Sequence, residues 1–228
     1  YIKKNGREKK SDELSKIKGL AFINDENELV ITGYGDTVPS SERTIYDYGI
    51  LAQGLQKKAD KVMKFYFRDA RNATWFYHDA RTFEPHRKSM MARIWTAKGC
   101  IVRCTFCQRF SAGHTTFDLA QLDNNLQELI EKYGVGFIHI DDETYGSNKA
   151  HAIEIAKLLK KYDILWCATG VRCTSFTADD IKLLRELGCT GLKFGVESGS
   201  QKILNVMEKR FTRDNVYNAL KNAHENGL

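Results

Sequence analysis

The feature that most limits the fold is an alternation of short apolar runs with amphipathic segments, which begins at Arg93 and continues to the end of the chain. In the amphipathic segments, apolar residues recur at the three- and four-residue spacing of a helix. This alternation is typical of βα units around a parallel sheet. It therefore predicts an α/β fold with four strands, at Ala92–Ala97, Phe137–Asp141, Ile164–Val171 and Thr190–Val196.

Residues that favour helix starts stand at the beginnings of the amphipathic segments. Thr177 and Asp180 have the Ser/Thr-x-x-acid spacing of a capping box, in which two side chains satisfy the first free backbone amides. Asparagine and threonine precede other segments in the same way. The sequence predicts helices over Thr116–Tyr133 and after Asn148, Thr177, Ser200 and Thr212.

Strand periodicity assigns side chains to two faces. One face of each strand should line a central cavity, while the other packs against the helices. Glu197 is predicted to point into the cavity, because it alternates with Phe194 and Val196. The cavity face of the fourth strand would consist of Gly191, Lys193, Gly195 and Glu197, and that of the second of His139, Asp141 and Glu143. A functional site and a network of paired buried charges both remain open.

Three cysteines form a CxxxCxxC motif just after the first predicted strand, at Cys100, Cys104 and Cys107. Three thiolates leave one coordination position of a metal site open, whereas electron-transfer clusters and structural zinc sites usually close all four. The spacing favours a catalytic iron-sulfur cluster. The alternative is a zinc site completed by a fourth ligand, with Cys167, Cys173, Cys189 and His114 as candidates.

With Phe106 before the third cysteine, the motif resembles the CxxxCxφC signature of the radical S-adenosylmethionine (SAM) superfamily, where φ is aromatic. Phe137–Glu143 resembles that family's second strand, and Gly195–Ser200 resembles the end of its fourth. The resemblance implies a partial (β/α) barrel. This chain would carry its first four βα units and lack the fifth and sixth strands.

The resemblance also implies cofactors and their contacts. Cys100, Cys104 and Cys107 would hold a 4Fe-4S cluster, whose electron cleaves SAM to methionine and a 5′-deoxyadenosyl radical. The electron would come from a donor such as flavodoxin or ferredoxin. The adenine would meet the backbone beside Phe106, and the ribose would meet Glu197 and Ser198. The SAM amine would bind Asp142 or Glu143, and Arg172 would bind either the SAM carboxylate or a neighbouring acid. No residue is assigned a catalytic role.

Residues 1–91 have a different pattern from the rest. Gly19–Thr32 predicts a hairpin turning at Asn24 to Asn27, followed by a loop with Pro39 and Tyr46–Tyr48 and a short helix near Leu51–Met63. This layout resembles the segment that joins a cobalamin-binding domain to the barrel in cobalamin-dependent radical SAM enzymes. It implies a linker region at 1–91, a truncated core at 92–228, and possible use of cobalamin bound by a domain absent from this chain.

Three functions remain open from the sequence. The preferred one is radical SAM chemistry, including cobalamin-dependent methyl transfer, on a small-molecule or peptide substrate. The second is a methylthiotransferase acting on tRNA or a ribosomal protein. The third, from a different class, is a zinc-binding interaction module.

Composition limits the partners and the compartment. The 35 Lys and Arg against 29 Asp and Glu give a net charge of +6, which is common on ordinary protein surfaces and predicts no nucleic-acid partner. The sequence holds no apolar run long enough to span a bilayer, so no membrane partner is predicted. Three grouped cysteines fit a reducing compartment, and we expect a cytoplasmic protein. A chain that runs from Tyr1 to Leu228 is expected to be a fragment.

Overall fold

The computed structural model describes residues 10–33, 48–49, 53, 59–73, 79–108 and 113–228. The chain divides into two compact units, residues 1–42 and residues 43–228. The second unit therefore extends upstream of residue 92, where the sequence predicts the core to begin.

The first unit contains a helical turn and a hairpin. Helix α1 covers Ser11–Leu14, and strands β1, Ala21–Ile23, and β2, Leu29–Ile31, pair antiparallel. The backbone amide of Asn24 donates to the carbonyl of Glu28, and Asn27 takes a left-handed conformation with φ of 65°. The predicted hairpin and its turn are confirmed.

The second unit contains the remaining elements, of which some were predicted only in part. Most of the predicted loop with Pro39 and Tyr46, and most of the predicted helix start at 51–58, lie outside the described residues. The elements here are α2 Ala59–Tyr66, β3 Arg68–Asp69, α3 Ala70–Ala73, β4 Met90–Ile94, β5 Ala97–Gly99, β6 His114–Thr116, α4 Leu119–Tyr133, β7 Phe137–Ile140, α5 Lys149–Lys161, β8 Leu165–Val171, α6 Ala178–Glu186, β9 Cys189–Phe194, α7 Gln201–Val206 and α8 Arg213–Glu225.

A five-stranded sheet, in the order β3-β4-β7-β8-β9, is the centre of this unit. Strands β4, β7, β8 and β9 are parallel neighbours, and β3 adds to β4 antiparallel. Four parallel strands with helices between them are the predicted first four βα units. In the described residues the sheet is open, with β9 at one edge, as a partial barrel requires.

The helix starts follow local capping chemistry. The Asn148 side chain accepts the amide of His151, and Thr177 and Thr212 each form a reciprocal capping box with the residue three positions later. These three predicted starts are confirmed. The predicted start at Thr116 is wrong: α4 begins at Leu119 behind the Asp118 cap, because residues 114–116 pair with β5.

The predicted first strand, Ala92–Ala97, is also corrected. Strand β4 ends at Ile94, because the carboxylate of Asp142 accepts the amides of Thr96 and Ala97 and the Thr96 hydroxyl. These three hydrogen bonds direct the chain away from the sheet. The next residues form β5, which pairs antiparallel with β6.

The two faces of the sheet differ as the alternation predicts. One face packs against the helices and includes Ala92, Ile138, Ile140, Trp166 and Ala168. The opposite face begins, at the N-terminal ends of the strands, with a separate apolar cluster in which Ala70 also takes part. Its members are Ala70, Met91, Phe137, Leu165 and Cys167.

A group of ion pairs contacts the N-terminal end of β9. Asp79, whose side chain is only 4% exposed, accepts from the guanidinium groups of Arg81 and Arg185. Arg81 also donates to the carbonyl of Cys189, the first residue of β9.

None of the helices described in the structure is both long and apolar enough to cross a membrane.

Candidate functional site

The three motif cysteines lie on the loop that connects β5 with β6. Cys100 and Cys104 are partly exposed and Cys107 is exposed. The Cys107 amide donates to the carbonyl of Cys104, and the Val102 amide donates to the sulfur of Cys100 at 3.4 Å. The loop therefore has local turns that keep its thiols near the surface.

Gly99 leads into this loop and could not be another residue without distortion. Its φ is +82°, and a Cβ added there would lie 2.0 Å from the carbonyl oxygen of Gly113 on the paired strand. Both the left-handed backbone and the close approach require glycine. The start of the cysteine loop is thus fixed by a tight backbone contact.

The other three cysteines have a different environment. Cys167, Cys173 and Cys189 are buried, and burial raises the pKa of each thiol, that of Cys189 to about 12. A metal ligand must be a thiolate, so these sites disfavour coordination. All six cysteines lie in the described residues, and none of them is in a disulfide.

No three His, Cys, Asp or Glu side chains within the described residues converge closely enough to hold a metal ion. This includes the candidates for completing a zinc site. His114 lies on β6 with a buried Nε2, and burial lowers the pKa of its ring. The chemistry of the loop cysteines nevertheless fits an iron-sulfur cluster, because three accessible thiols on one loop are the donors that such clusters use.

Three carboxylates follow β7, and two of them, Asp142 and Glu143, have opposite environments. Asp142 is 4% exposed, and its oxygens accept the three hydrogen bonds from Thr96 and Ala97. Glu143 is exposed, and its Oε1 accepts the amide of Gly99 at 3.0 Å. An acid from the second parallel strand therefore touches the residue immediately before Cys100.

Burial also changes the ionisation of Asp142. Loss of solvent raises the pKa of this carboxyl to about 6, although its hydrogen bonds with Thr96 and Ala97 act in the opposite direction. Both oxygens of Asp142 accept hydrogen bonds from the residues that follow β4. These bonds hold the chain where β5 begins, and β5 leads into the cysteine loop.

A further polar group lies on the cavity face, beyond the apolar cluster. Asp141 pairs with Arg93 at 2.8 Å, lies 3.4 Å from the His139 imidazole and accepts from the Thr169 hydroxyl at 3.3 Å. Burial lowers the pKa of His139, so a neutral imidazole is favoured. This arrangement is the paired network that the sequence left open as an alternative.

At the end of β9, Glu197 is not oriented by strand alternation. The strand ends at Phe194, and Glu197 takes a left-handed backbone with φ of 61°. Its carboxylate is 3.4 Å from the ammonium of Lys209. The adjacent Ser198 hydroxyl accepts the amide of Ser200. A left-handed glutamate is uncommon and indicates a constrained position.

Arg172 follows β8 and directs one guanidinium nitrogen to the carbonyl of Lys209, at 2.6 Å. The same guanidinium lies over the ring of Phe211. Of the two partners that the sequence offered, the neighbouring acid is not among the contacts described for this side chain. Arg172 instead ties the end of β8 to the turn after α7.

Lys209 is a site residue that the sequence analysis missed. Its side chain is 8% exposed, and its ammonium lies 5.6 Å from the ring centre of Phe106 and next to Glu197. It belongs to a charged run, Glu208 to Arg210, whose ordinary interpretation is solvated surface. No sequence signal distinguishes it from its neighbours.

The site thus unites the cysteine loop with the C-terminal ends of the parallel strands. Phe106 in the loop is 53% exposed and close to Lys209, which contacts Glu197. Glu143 contacts the start of the same loop. Open α/β sheets and barrels bind ligands at this end of their strands.

Two curated proteins are similar to this chain in sequence. An uncharacterized methyltransferase of Pyrococcus horikoshii is 31% identical over 140 residues, which cover 59% of this chain and 30% of that protein. Cytidylyl-2-hydroxyethylphosphonate methyltransferase of Streptomyces wedmorensis is 24% identical over 126 residues, 54% of this chain and 24% of that protein. The chain spans less than a third of the length of these curated relatives.

A solved structure shows the same fold. The cobalamin-dependent S-adenosylmethionine radical enzyme OxsB aligns with a TM-score of 0.68 and 18% identity over 99% of this chain and 30% of its own. The family model described as the Radical SAM superfamily matches residues 96–228, more than half of the chain. The match includes the cysteine loop and the ends of the strands that face it. The chain belongs to the radical SAM superfamily.

Proposed function

We propose that this chain carries the SAM-cleaving site of a radical SAM enzyme. The observation that carries the proposal is the hydrogen bond from the Gly99 amide to Glu143, which joins an acid of the second parallel strand to the start of the cysteine loop. Cys100, Cys104 and Cys107 would hold a 4Fe-4S cluster. When bound, that cluster supplies the electron that cleaves SAM.

The protein residues would bind and orient SAM. We assign the amine to Glu143 rather than Asp142, since Glu143 is exposed while the oxygens of Asp142 are already engaged. Glu197 would accept hydrogen bonds from the two ribose hydroxyls, which suits a carboxylate with two oxygens. Ser198 is the second proposed ribose contact.

The proposed contacts of Phe106 and Arg172 differ in kind. Phe106 would contribute its backbone to the adenine, beside the third cysteine ligand. Arg172 is partly buried and already donates to a backbone carbonyl, but a guanidinium has five N–H donors. It can therefore keep this hydrogen bond and still bind the SAM carboxylate.

For the whole protein, we propose methyl transfer with cobalamin. Both relatives described above are named as methyltransferases, and OxsB, which is named as cobalamin-dependent, aligns with nearly all of this chain. In this proposal residues 1–91 join a cobalamin-binding domain to a core at 92–228. The substrate would be a small molecule or a peptide, the reductant a protein such as flavodoxin or ferredoxin, and the location the cytoplasm.

The test is anaerobic reconstitution with iron and sulfide, followed by EPR of the dithionite-reduced chain with and without SAM. We expect a 4Fe-4S signal that changes when SAM is added, because SAM would occupy the iron that the protein leaves open. A cluster signal unaffected by SAM would contradict the proposed SAM site. Bound zinc without iron uptake would contradict the whole proposal.

A further inference from the structure

A lysine ammonium is enclosed between the cysteine loop and the end of β9. The Lys209 side chain is 8% exposed, and its ammonium lies 3.4 Å from Glu197, 5.6 Å from the ring centre of Phe106 and 5.4 Å from that of Phe211. An enclosed charge is unfavourable unless it is paired, so both the carboxylate and the aromatic faces stabilise it.

The backbone of the same residue is held on both sides. Its amide donates to the carbonyl of Leu204 in α7, and its carbonyl accepts from Arg172 after β8. The backbone of Lys209 is therefore fixed by hydrogen bonds to two elements of the core.

The turn that carries Lys209 also binds the cysteine loop. The Thr105 amide donates to the carbonyl of Met207 at 3.1 Å, and the Thr105 hydroxyl donates to that of Val206 at 3.2 Å. Thr105 and Phe106 both lie between the second and third motif cysteines. Residues 206–209 thus hold the part of the loop that faces Glu197.

Gly195 lies directly beside the ion pair. A Cβ added at this position would lie 3.3 Å from the Glu197 carboxylate and 3.5 Å from the Lys209 ammonium. The first contact is tight and would require the carboxylate to move slightly, whereas the second is an ordinary van der Waals distance. The two charged groups therefore meet against the backbone at the end of β9.

We propose that Lys209 is a positioning residue for SAM: it orients the Glu197 carboxylate and holds Phe106 of the cysteine loop beside it. This inference rests on the proposed function, in which Glu197 meets the ribose and the backbone beside Phe106 meets the adenine. Lys209 would act through these residues and would not itself contact the reacting atoms.

The test is a double-mutant cycle on the full chain with SAM as the probe. The variants are Lys209→Met, Glu197→Gln and their combination, with Lys202→Met as a matched control that removes one charge from the exposed surface of α7. Dissociation constants for SAM are measured by equilibrium dialysis after anaerobic reconstitution. Iron per chain and thermal melting by circular dichroism are measured for every variant.

We expect Lys209→Met to weaken SAM binding about tenfold, a coupling of the size found for residues in direct contact. In the Glu197→Gln background the same change should weaken binding less than about twofold, because the residue it orients is already altered. Lys209→Arg should restore most of the affinity, since it keeps the charge beside the ring. Iron content should stay at the wild-type value in all of them, and Lys202→Met should bind SAM normally.

Equal weakening in both backgrounds, or normal SAM binding by Lys209→Met, would overturn the inference. If Lys209→Met does not fold, Lys209→Gln enters the same cycle, and failure of both to fold would show that the residue is structural only. A wild-type chain that takes up no iron, or whose cluster ignores SAM, would contradict the proposed function instead.

Discussion

The two ends of the parallel sheet differ in what they are built from. At the N-terminal ends of the strands, Met91, Phe137 and Leu165 form a closed apolar cluster with Ala70 from α3. At the C-terminal ends lie charged groups and the cysteine loop, with Glu143 bonded to Gly99. The same strands therefore begin in tight apolar packing and end beside polar groups and the cysteine loop, the end at which α/β proteins bind their ligands.

In strand β7 only a few residues separate the apolar end from the polar end. Phe137 at its start is fully buried, and Glu143, six residues later, is exposed beside the cysteine loop. We therefore expect a substitution at the apolar end to lower the free energy of unfolding and to leave cofactor binding unchanged. A substitution at the other end should do the reverse.

The sharpest test of this comparison is removal of one cysteine from each environment. Cys104→Ala should abolish stable iron binding after reconstitution and leave the far-UV circular dichroism spectrum intact, because the loop thiol supports no packing. Iron is measured per chain by colorimetric assay. Cluster content close to wild type in this variant would contradict the assignment of Cys104 as a ligand.

Cys189→Ala is the matched control in the core. This thiol is fully buried in the main apolar cluster, so its loss should cost about 1 kcal/mol of unfolding free energy through a small cavity. Iron binding should not change. If Cys189→Ala lost more iron than folded protein, the buried cysteine would also contribute to iron binding, contrary to this prediction.

The second prediction concerns the apolar end alone. Phe137→Ala should lower the free energy of unfolding by about 3 to 5 kcal/mol, the usual cost of removing a fully buried aromatic ring. Urea denaturation of the cluster-free chain measures it. The folded fraction should still take up iron, because the ring packs in the apolar cluster at the N-terminal ends of the strands and the cysteine loop lies at their other end.

The third prediction tests Asp142, the buried acid that follows β7 and binds the residues after β4. Burial raises the pKa of Asp142 to about 6 in the folded chain, above its value of about 4 when unfolded. The protonated acid therefore favours the folded state. Its contribution is fully present below pH ~4, and about 3 kcal/mol of it is lost as the pH rises through ~6.

Asp142→Asn removes this titration. The unfolding free energy of wild type, measured relative to this variant, should rise as the pH falls from 7 to 4, with urea denaturation at each pH. Other carboxylates titrate in both proteins and cancel in the difference. A difference that is constant with pH would show that Asp142 keeps its ordinary pKa.

Much of the fold follows from local signals that tertiary structure does not override. The capping residues Asn148, Thr177 and Thr212 start helices as predicted, since their hydrogen bonds involve only the next three residues. The predicted helix start at Thr116 is wrong because Thr116 pairs with Ala97, nineteen residues earlier, and so belongs to strand β6. A non-local bond to Asp142 likewise ended β4 early.

The site was predictable only where a motif is contiguous. The cysteine spacing indicated the loop, but the choice between Asp142 and Glu143 depended on which acid the Thr96 turn occupies. Lys209 had no sequence signal, because it meets Glu197, twelve residues earlier, only through tertiary packing on the far side of α7. Charges that meet through tertiary packing look like ordinary surface charges in a sequence.

The smallest expected effect is that of a charge removal at Glu143, beside the cysteine loop. Glu143→Gln keeps the size of the side chain and an oxygen that can accept the Gly99 amide, but removes the negative charge. Iron content and thermal melting should stay at wild-type values. The dissociation constant for SAM should rise about tenfold, which corresponds to about 1.4 kcal/mol.

The matched control for this variant is Glu154→Gln on α5, an exposed acid paired only with Lys157 in the contacts described. It removes the same charge at a distance from the loop, so a general electrostatic effect on a cationic ligand would appear in both variants. We expect the tenfold change in Glu143→Gln alone. Equal weakening of SAM binding in the two variants would mean that Glu143 acts only through the net charge of the protein. Glu143 would then not be a direct contact of SAM.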